Sequence, residues 1–338
     1  MKKRLGLLKT SSVVAALGMG LAAMAGMPSA SAAERVADVE AARPPATLVV
    51  PGDAYYPESI TAAANGDLYV ASITTGEVVV FRSGVWAAET FIPVGVNLGT
   101  AGVLFDDARK VLWTCDIDLS FQQPTKLKAF NLKGDLVASY TVPDRGVCAD
   151  IVLVRGAVFI TDTVDPTVQP ALPGRILRLT TPSSTSAEGG TLSVWSADQA
   201  FTYPTGGLQI NGIAYDGRSA IYTTNYSAGT LVRVGIAADG SALEATKVPI
   251  PRLLQNPDGI RMLDANRLLV TENPGALNVI DVRSGRITQV GTFDQPTSVV
   301  RSGGYLWVAE GQVLRLQQGQ PPNLPFKIQR APVPITDL

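Results

Sequence analysis

The chain has 338 residues, 46% of them hydrophobic, with 28 Lys and Arg against 29 Asp and Glu (net charge −1), two cysteines and no histidine. That balance, without a Lys/Arg cluster in the body of the chain, excludes the electrostatic footprint of a nucleic-acid partner. The missing histidine excludes a Ser-His-Asp triad, histidine-ligated zinc and a histidine general base together.

In chain order, residues 1–32 read as a signal peptide. Lys2, Lys3, Arg4 and Lys9 form a basic start, the apolar stretch VVAALGMGLAAMAGM follows, and Ala30-Ser31-Ala32 supplies an A-x-A cleavage site. The apolar run is short and rich in Gly and Ala, unlike a membrane span. The expectation is an exported protein, periplasmic or secreted, with no membrane span after cleavage. Cleavage removes four basic and no acidic side chains, leaving a net charge of about −5. Residues 33–44 read as a charged, flexible leader.

From Pro57 onward one pattern recurs six times: an apolar run, a tight turn and a second apolar run ending in a polar cluster. The copies begin at Pro57, Thr100, Cys148, Ile210, Pro257 and Pro296, spaced 43, 48, 62, 47 and 39 residues apart. Alternation within the runs fits strands, and Asn65-Gly66-Asp67 and Asp216-Gly217 fit hairpin turns. A third strand is predicted after each polar cluster (GEVVVF, TKLKAFNL, GRILRLT, GTLVRVGI, GALNVIDV, GQVLRLQ). A fourth follows in all but the last copy (ETFIPV, LVASYTVP, TLSVWSAD, ATKVPIP, ITQVGTF).

Four strands per copy at this period predict an all-β, six-bladed β-propeller over residues 45–320, with no long helix. The strand-like segment ATLVVPG (46–52) is expected to cross over and complete blade six, so that an N-terminal strand closes the ring. Residues 321–338 read as a C-terminal tail, and 164–173 and 181–190 as loop insertions.

Cys115 ends the second strand of copy two and Cys148 opens the first strand of copy three. Two cysteines in an exported chain predict a disulfide between these neighbouring blades.

Aligned two residues before the first Ile or Val of the innermost strand, the copies carry Glu58, Ala101, Ala149, Asn211, Asp258 and Thr297. Such positions converge on a propeller's central channel, where Glu58, Asn211 and Asp258 would present hard oxygen donors. Two carboxylates and an amide suit Ca²⁺ better than a transition metal, although another divalent cation shares that chemistry. The alternative is structural: Asn211-Gly212 and Asp258-Gly259 are also turn-forming dipeptides, and Glu58 can simply be solvated. The second strands end in Asp116, Asp162, Asn225, Glu272 and Glu310, polar groups that are either solvated or on a substrate rim. Asp150 is a further rim candidate. Tyr55, Tyr56, Trp113, Tyr226 and Trp307 lie near the same mouth, the two Trp reading as core.

With these residues in place, the chain resembles the senescence-marker/gluconolactonase/luciferin-regenerating-enzyme family of six-bladed propellers over residues 51–316. Glu58 in YPES, Asn211 in INGIAYDG and Asp258 in NPDGI match that family's metal-binding glutamate, asparagine and aspartate, the last also its proposed base. The family's Asn in blade three is here Cys148-Ala149-Asp150, and Arg145 just before it is a loose match for a substrate contact. The resemblance implies a Ca²⁺-dependent hydrolase of a lactone, sugar derivative or related ester, in which Asp258 assists water. The alternative is a non-catalytic propeller that binds a ligand or protein and holds a structural metal. Fold by itself does not choose between them.

Overall fold

Each copy folds as a four-stranded antiparallel sheet, because its apolar positions recur with the period of two that sends alternate side chains to opposite faces. A computed structural model describes residues 44–165, 167, 173–203 and 207–334. The signal peptide, the leader through residue 43, most of the 164–173 insertion and residues 335–338 lie outside the described residues.

Strand β1 (Thr47–Val49) precedes the repeats. Blade one comprises β2 (Pro57–Ala62), β3 (Leu68–Ser72), β4 (Val78–Phe81) and β5 (Ala88–Ile92). Blade two comprises β6 (Thr100–Asp106), β7 (Val111–Asp116), β8 (Lys126–Asn131) and β9 (Leu136–Thr141). Blade three comprises β10 (Cys148–Val154), β11 (Ala157–Asp162), β12 (Arg175–Thr180) and β13 (Thr191–Ala197). Blade four comprises β14 (Ile210–Tyr215), β15 (Ala220–Asn225), β16 (Thr230–Ile236) and β17 (Ala242–Lys247). Blade five comprises β18 (Pro257–Met262), β19 (Arg267–Glu272), β20 (Ala276–Asp281) and β21 (Ile287–Thr292).

Blade six has the order β22 (Ser298–Ser302), β23 (Tyr305–Ala309), β24 (Lys327–Pro332) and β1. Its outermost strand therefore comes from ahead of blade one, with Leu48 opposite Ile328 and Val49 opposite Lys327. Its third strand differs from the prediction. GQVLRLQ is not a strand: Val313–Gln317 forms a short helix, α1, entered through Gln312 at φ 55°. The third position is taken by KIQRAP, whose Tyr305–Pro332 to Ala309–Ile328 register fills the sheet. Alternation in so short an apolar run does not discriminate strand from helix. Residues 321–338 are thus not simply a tail, since β24 belongs to the propeller.

Burial grades outward through each blade. Every residue of β3, β7, β15 and β19 is buried, whereas β17 is largely exposed and β9 alternates between exposed and half-buried. Inner strands touch neighbouring blades on both faces and so need continuous apolar runs. Trp113 and Trp307 are fully buried, as expected of core residues. Neighbouring blades are also clasped by hydroxyls: Thr224 donates to the Asp258 carbonyl (2.9 Å), Thr271 to the Thr297 carbonyl (2.9 Å), and Thr297 to the Pro57 carbonyl (3.0 Å). Cys115 and Cys148 form a disulfide joining β7 to β10 across 5.3 Å between Cα atoms, with a sequence separation of 33. A loop of that size stabilises the fold by roughly 3–4 kcal/mol. Among the described residues no helix is long and apolar enough to cross a membrane.

Candidate functional site

The inward-facing residues are aimed by one repeated backbone device. In blades one to five the pairing of first and second strands is interrupted by a bulge just after the first-strand start. These breaks fall between Pro57 and Ser59, Thr100 and Val103, Cys148 and Ile151, Ile210 and Ile213, and Pro257 and Ile260. Glu58, Ala101, Ala149, Asn211 and Asp258 each occupy a bulge, which re-aims a side chain that would otherwise follow the sheet's alternation. In blades one, five and six the chain enters through a residue of positive φ before a proline: Tyr56 (44°), Asn256 (43°) and Gln295 (53°). Such conformations cost roughly 1–3 kcal/mol each. They are pinned by the loop opposite, where Ile73, Asn273 and Gln312 donate backbone N–H bonds to the three carbonyls.

Gly212 and Gly259 are explained by this packing too. They lie within β14 and β18, not in turns, contrary to the turn-former reading of Asn211-Gly212 and Asp258-Gly259. A Cβ at Gly259 would come within 2.6 Å of the Thr297 carbonyl oxygen, and one at Gly212 would strike the Asp258 carbonyl. Glycine is needed because adjacent inner strands meet backbone to backbone.

Glu58, Ala101, Ala149, Asn211, Asp258 and Thr297 all line one narrow cleft on the channel axis, together with Asp150. Above it opens a cavity of about 450 Å³, with Glu58, Asn211 and Asp258 at its polar end. Asp258 is 4% exposed. Asn211 Nδ2 donates to its Oδ1 (2.8 Å) and Asn273 Nδ2 to its Oδ2 (2.9 Å). Asn273 is itself fixed, donating to the Pro296 carbonyl (3.0 Å) and accepting the Tyr226 hydroxyl (2.7 Å). Glu58 is half-buried against the cavity, yet its Oε2 is closed to solvent and has no hydrogen-bond partner.

Charge follows from this burial. Desolvation, reinforced by Asp258 and Asp150, holds the Glu58 carboxyl well above the usual carboxylate range. Desolvation likewise pushes Asp258 up to about 7; Asp150 adds to the rise, while the Asn273 and Asn211 amides oppose it. Burial raises the Tyr226 hydroxyl, and the Asp258 and Glu58 carboxylates raise it further. Asp150 is compensated, since Arg261 from blade five forks across to it at 2.7 and 3.1 Å and Ile213 N–H donates at 3.1 Å.

The strand-end residues form no rim of this cavity. Asp116 accepts Leu98 N–H (2.8 Å) and pairs with Lys128 (2.7 Å). Asp162 accepts Val147 N–H (2.7 Å) and pairs with Arg175 (2.6 Å). Asn225 donates to the Phe201 carbonyl (2.8 Å), Glu272 pairs with Arg252 (2.6 Å), and Glu310 accepts Asp294 N–H (2.9 Å). They brace incoming loops. The cavity is instead met by the residue one further on, Ile73, Ile117, Thr163 and Tyr226, with Asn273 behind Asp258. Consecutive residues point to opposite sides, so a one-residue step exchanges brace for lining. That alternation was the signal in the sequence that could have located Asn273 and Thr163. Arg145 does not line this cavity either, being ion-paired with Asp165 beside an adjoining cavity that shares Phe121 and Val147 with it. Tyr55 is buried, and Tyr56 packs against Phe326 with the rings tilted at 52°.

Among the described residues no group of three or more His, Cys, Asp or Glu is placed to hold a metal ion. The donor set is two carboxylates and an amide, and it fits a hard divalent cation on two observations. An orphaned, buried Glu58 oxygen lacks the partner that a buried charge requires. Of the three carboxyls Glu58, Asp150 and Asp258, Arg261 pairs with Asp150, and the other two are left for an ion to offset when ionised. Asn211 would turn its amide by half a revolution to present oxygen.

No protein-family model matches the chain, and no curated protein matches it. Solved structures do. A luciferin-regenerating enzyme is similar over 84% of this chain and 93% of its own, with a TM-score of 0.61 and 12% identity. A gluconolactonase from Xanthomonas campestris is similar over 78% and 85%, with a TM-score of 0.59 and 15% identity. An inactive virginiamycin B lyase from Staphylococcus aureus, solved with quinupristin, is similar over 86% and 88%, with a TM-score of 0.56 and 15% identity. At such identities the likeness establishes architecture: this chain is a six-bladed β-propeller of the fold found in gluconolactonase and luciferin-regenerating enzyme.

Proposed function

We propose that this protein is an exported hydrolase of a lactone or related ester that works with a bound divalent cation, calcium by donor chemistry. The observation that carries the reading is the pair Glu58 and Asp258 at the base of a largely apolar cavity, one oxygen unpartnered and both carboxyls raised. Perturbed acids in a cavity are the usual mark of acid–base chemistry. Export is supported by the leader pattern and by a disulfide, which oxidising compartments sustain.

Glu58, Asn211 and Asp258 would hold the ion, which when bound supplies electrophilic polarisation of the substrate carbonyl. Asp258 is the general base: it takes a proton from water as the water oxygen bonds to the acyl carbon. The ring C–O bond then breaks, and the proton passes to the departing alkoxide, giving a hydroxy acid. Asn273 fixes Asp258 Oδ2 and Tyr226 fixes Asn273, whereas the Asn211 donor to Oδ1 would be given up when its amide oxygen turns to the ion. The apolar walls keep bulk water from competing with the positioned one.

Calcium affinity, with γ- and δ-lactone hydrolysis, measured for the mature protein and Asp258→Ala tests this. Turnover should be abolished by chelator and by the substitution. Ala149→Asn should raise activity if an amide at blade three contributes to the site. Calcium binding without turnover of any lactone would leave a non-catalytic binding propeller, the reading that Ala149 favours.

A further inference from the structure

Resting on the hydrolase reading of this same cavity, the geometry points to a substrate whose non-reacting part is a linear alkyl chain, not the polyhydroxylated ring of a sugar lactone. Polarity in the cavity is confined to one end. Among the described residues its only charged lining groups are Glu58 and Asp258. Away from them the walls are apolar and come from four blades: Ile73, Ile117, Leu119, Phe121, Leu208 and Leu316.

Three polar side chains interrupt these walls, and two of them already hold one hydrogen bond each. Thr163 Oγ1 accepts Gln209 N–H (2.7 Å), and the Tyr226 hydroxyl donates to Asn273 (2.7 Å). The third, Gln317, has its side chain beside the Tyr226 hydroxyl. A sugar lactone brings several hydroxyls, each of which loses water on binding and needs a replacement partner. These walls do not supply them. An alkyl chain needs none, and each methylene moved from water to such a surface strengthens binding by about fourfold.

The volume supports the assignment. A cavity of about 450 Å³ has the size of a small-molecule site, well beyond a five-membered lactone ring alone. Leu119 remains 45% exposed at the mouth, on the loop after β7, so the apolar surface continues outward where a chain would leave.

The experiment measures kcat/KM of the calcium-loaded protein for γ-lactones with side chains from methyl to hexyl, and for D-glucono-δ-lactone. In parallel, binding of the matching 5-alkyl γ-lactams, which resist hydrolysis, is followed by calorimetry. The expected result is a rise of about fourfold per methylene over the first four, in turnover and in lactam affinity, with glucono-δ-lactone a poor substrate. Leu119→Asn, at the mouth, should reduce the gain from the outermost methylenes in both turnover and lactam affinity, and Leu119→Met should keep it. A flat chain-length series, or preference for glucono-δ-lactone, overturns the alkyl assignment while hydrolysis itself stands. Lactam binding with the expected slope but no turnover upholds the alkyl site and overturns the hydrolase. Neither binding nor turnover overturns both.

Discussion

With the cation removed, the Asp258 carboxyl should make the protein less stable as the solution becomes alkaline. Its folded value of about 7 lies above the ordinary 3.8, because burial at 4% exposure and the neighbouring Asp150 disfavour the charged form. The folded state therefore holds this proton more tightly than the unfolded chain does. Stability from it is complete below about pH 4 and is lost as pH rises through about 7. A displacement from 3.8 to about 7 corresponds to at most about 4 kcal/mol. Hydration of the cavity and relaxation of Asn211 reduce this, so about 2 kcal/mol is the expectation from about pH 4 to 8.5, a fall in Tm of roughly 3 °C. Glu58, raised by burial, Asp258 and Asp150, acts in the same direction. The assay is thermal unfolding in chelator at pH 4, 5.5, 7 and 8.5, for wild type, Asp258→Asn and the double variant with Glu58→Gln. Asp258→Asn keeps its shape and finds an acceptor in a rotated Asn211, so it should lose its share of the slope and the double variant nearly all. Saturating calcium should restore stability at pH 8.5, by about 2.7 kcal/mol at a hundredfold excess over Kd. A wild-type Tm that is flat across this window, or an unchanged slope in the double variant, would refute the electrostatic account of the site.

Two further outcomes follow from named contacts. Asn273→Ala removes the donor to Asp258 Oδ2 (2.9 Å), so the alkaline destabilisation in chelator should grow and extend to higher pH and lactone kcat should fall by about 10- to 100-fold, with Tyr226→Phe reproducing part of both; an unmoved pH profile would show that Asn273 does not position Asp258. Arg261→Met leaves Asp150 buried at 6% exposure with its ion pair broken, which should cost about 3–5 kcal/mol in urea unfolding, most of it recovered by adding Asp150→Asn. A cost under about 1 kcal/mol would mean that Arg261 does not compensate Asp150.

Much of the architecture was legible because it is repetitive and local. Period-two alternation and turn dipeptides placed the four strands of blades one to five, and Cys115 and Cys148 were assigned to each other from their strand positions. The failures share a cause: side-chain direction and partner choice depend on contacts that no single copy contains. GQVLRLQ matches the third strand of blade three in pattern, but β23 pairs with KIQRAP, and Val313 and Leu316 turn towards the cavity on a helix. Asp116, Asp162 and Glu272 looked like a polar rim, yet each braces a loop arriving from the preceding blade.

Comparison of the six copies, from sequence alone, selected Glu58, Asn211 and Asp258 as one register and Ala101 and Ala149 as its silent members, because the repeat makes equivalent positions countable. Only the tertiary structure decided where that register points. Bulges and positive-φ residues before proline turn these side chains to the channel axis, and close approach of neighbouring inner strands requires the glycines beside them. The cavity's character, polar at one end and apolar around its walls, is likewise a tertiary property. It is assembled from single residues of separate blades, each unremarked in its own stretch of chain, and it exists only once the ring has closed.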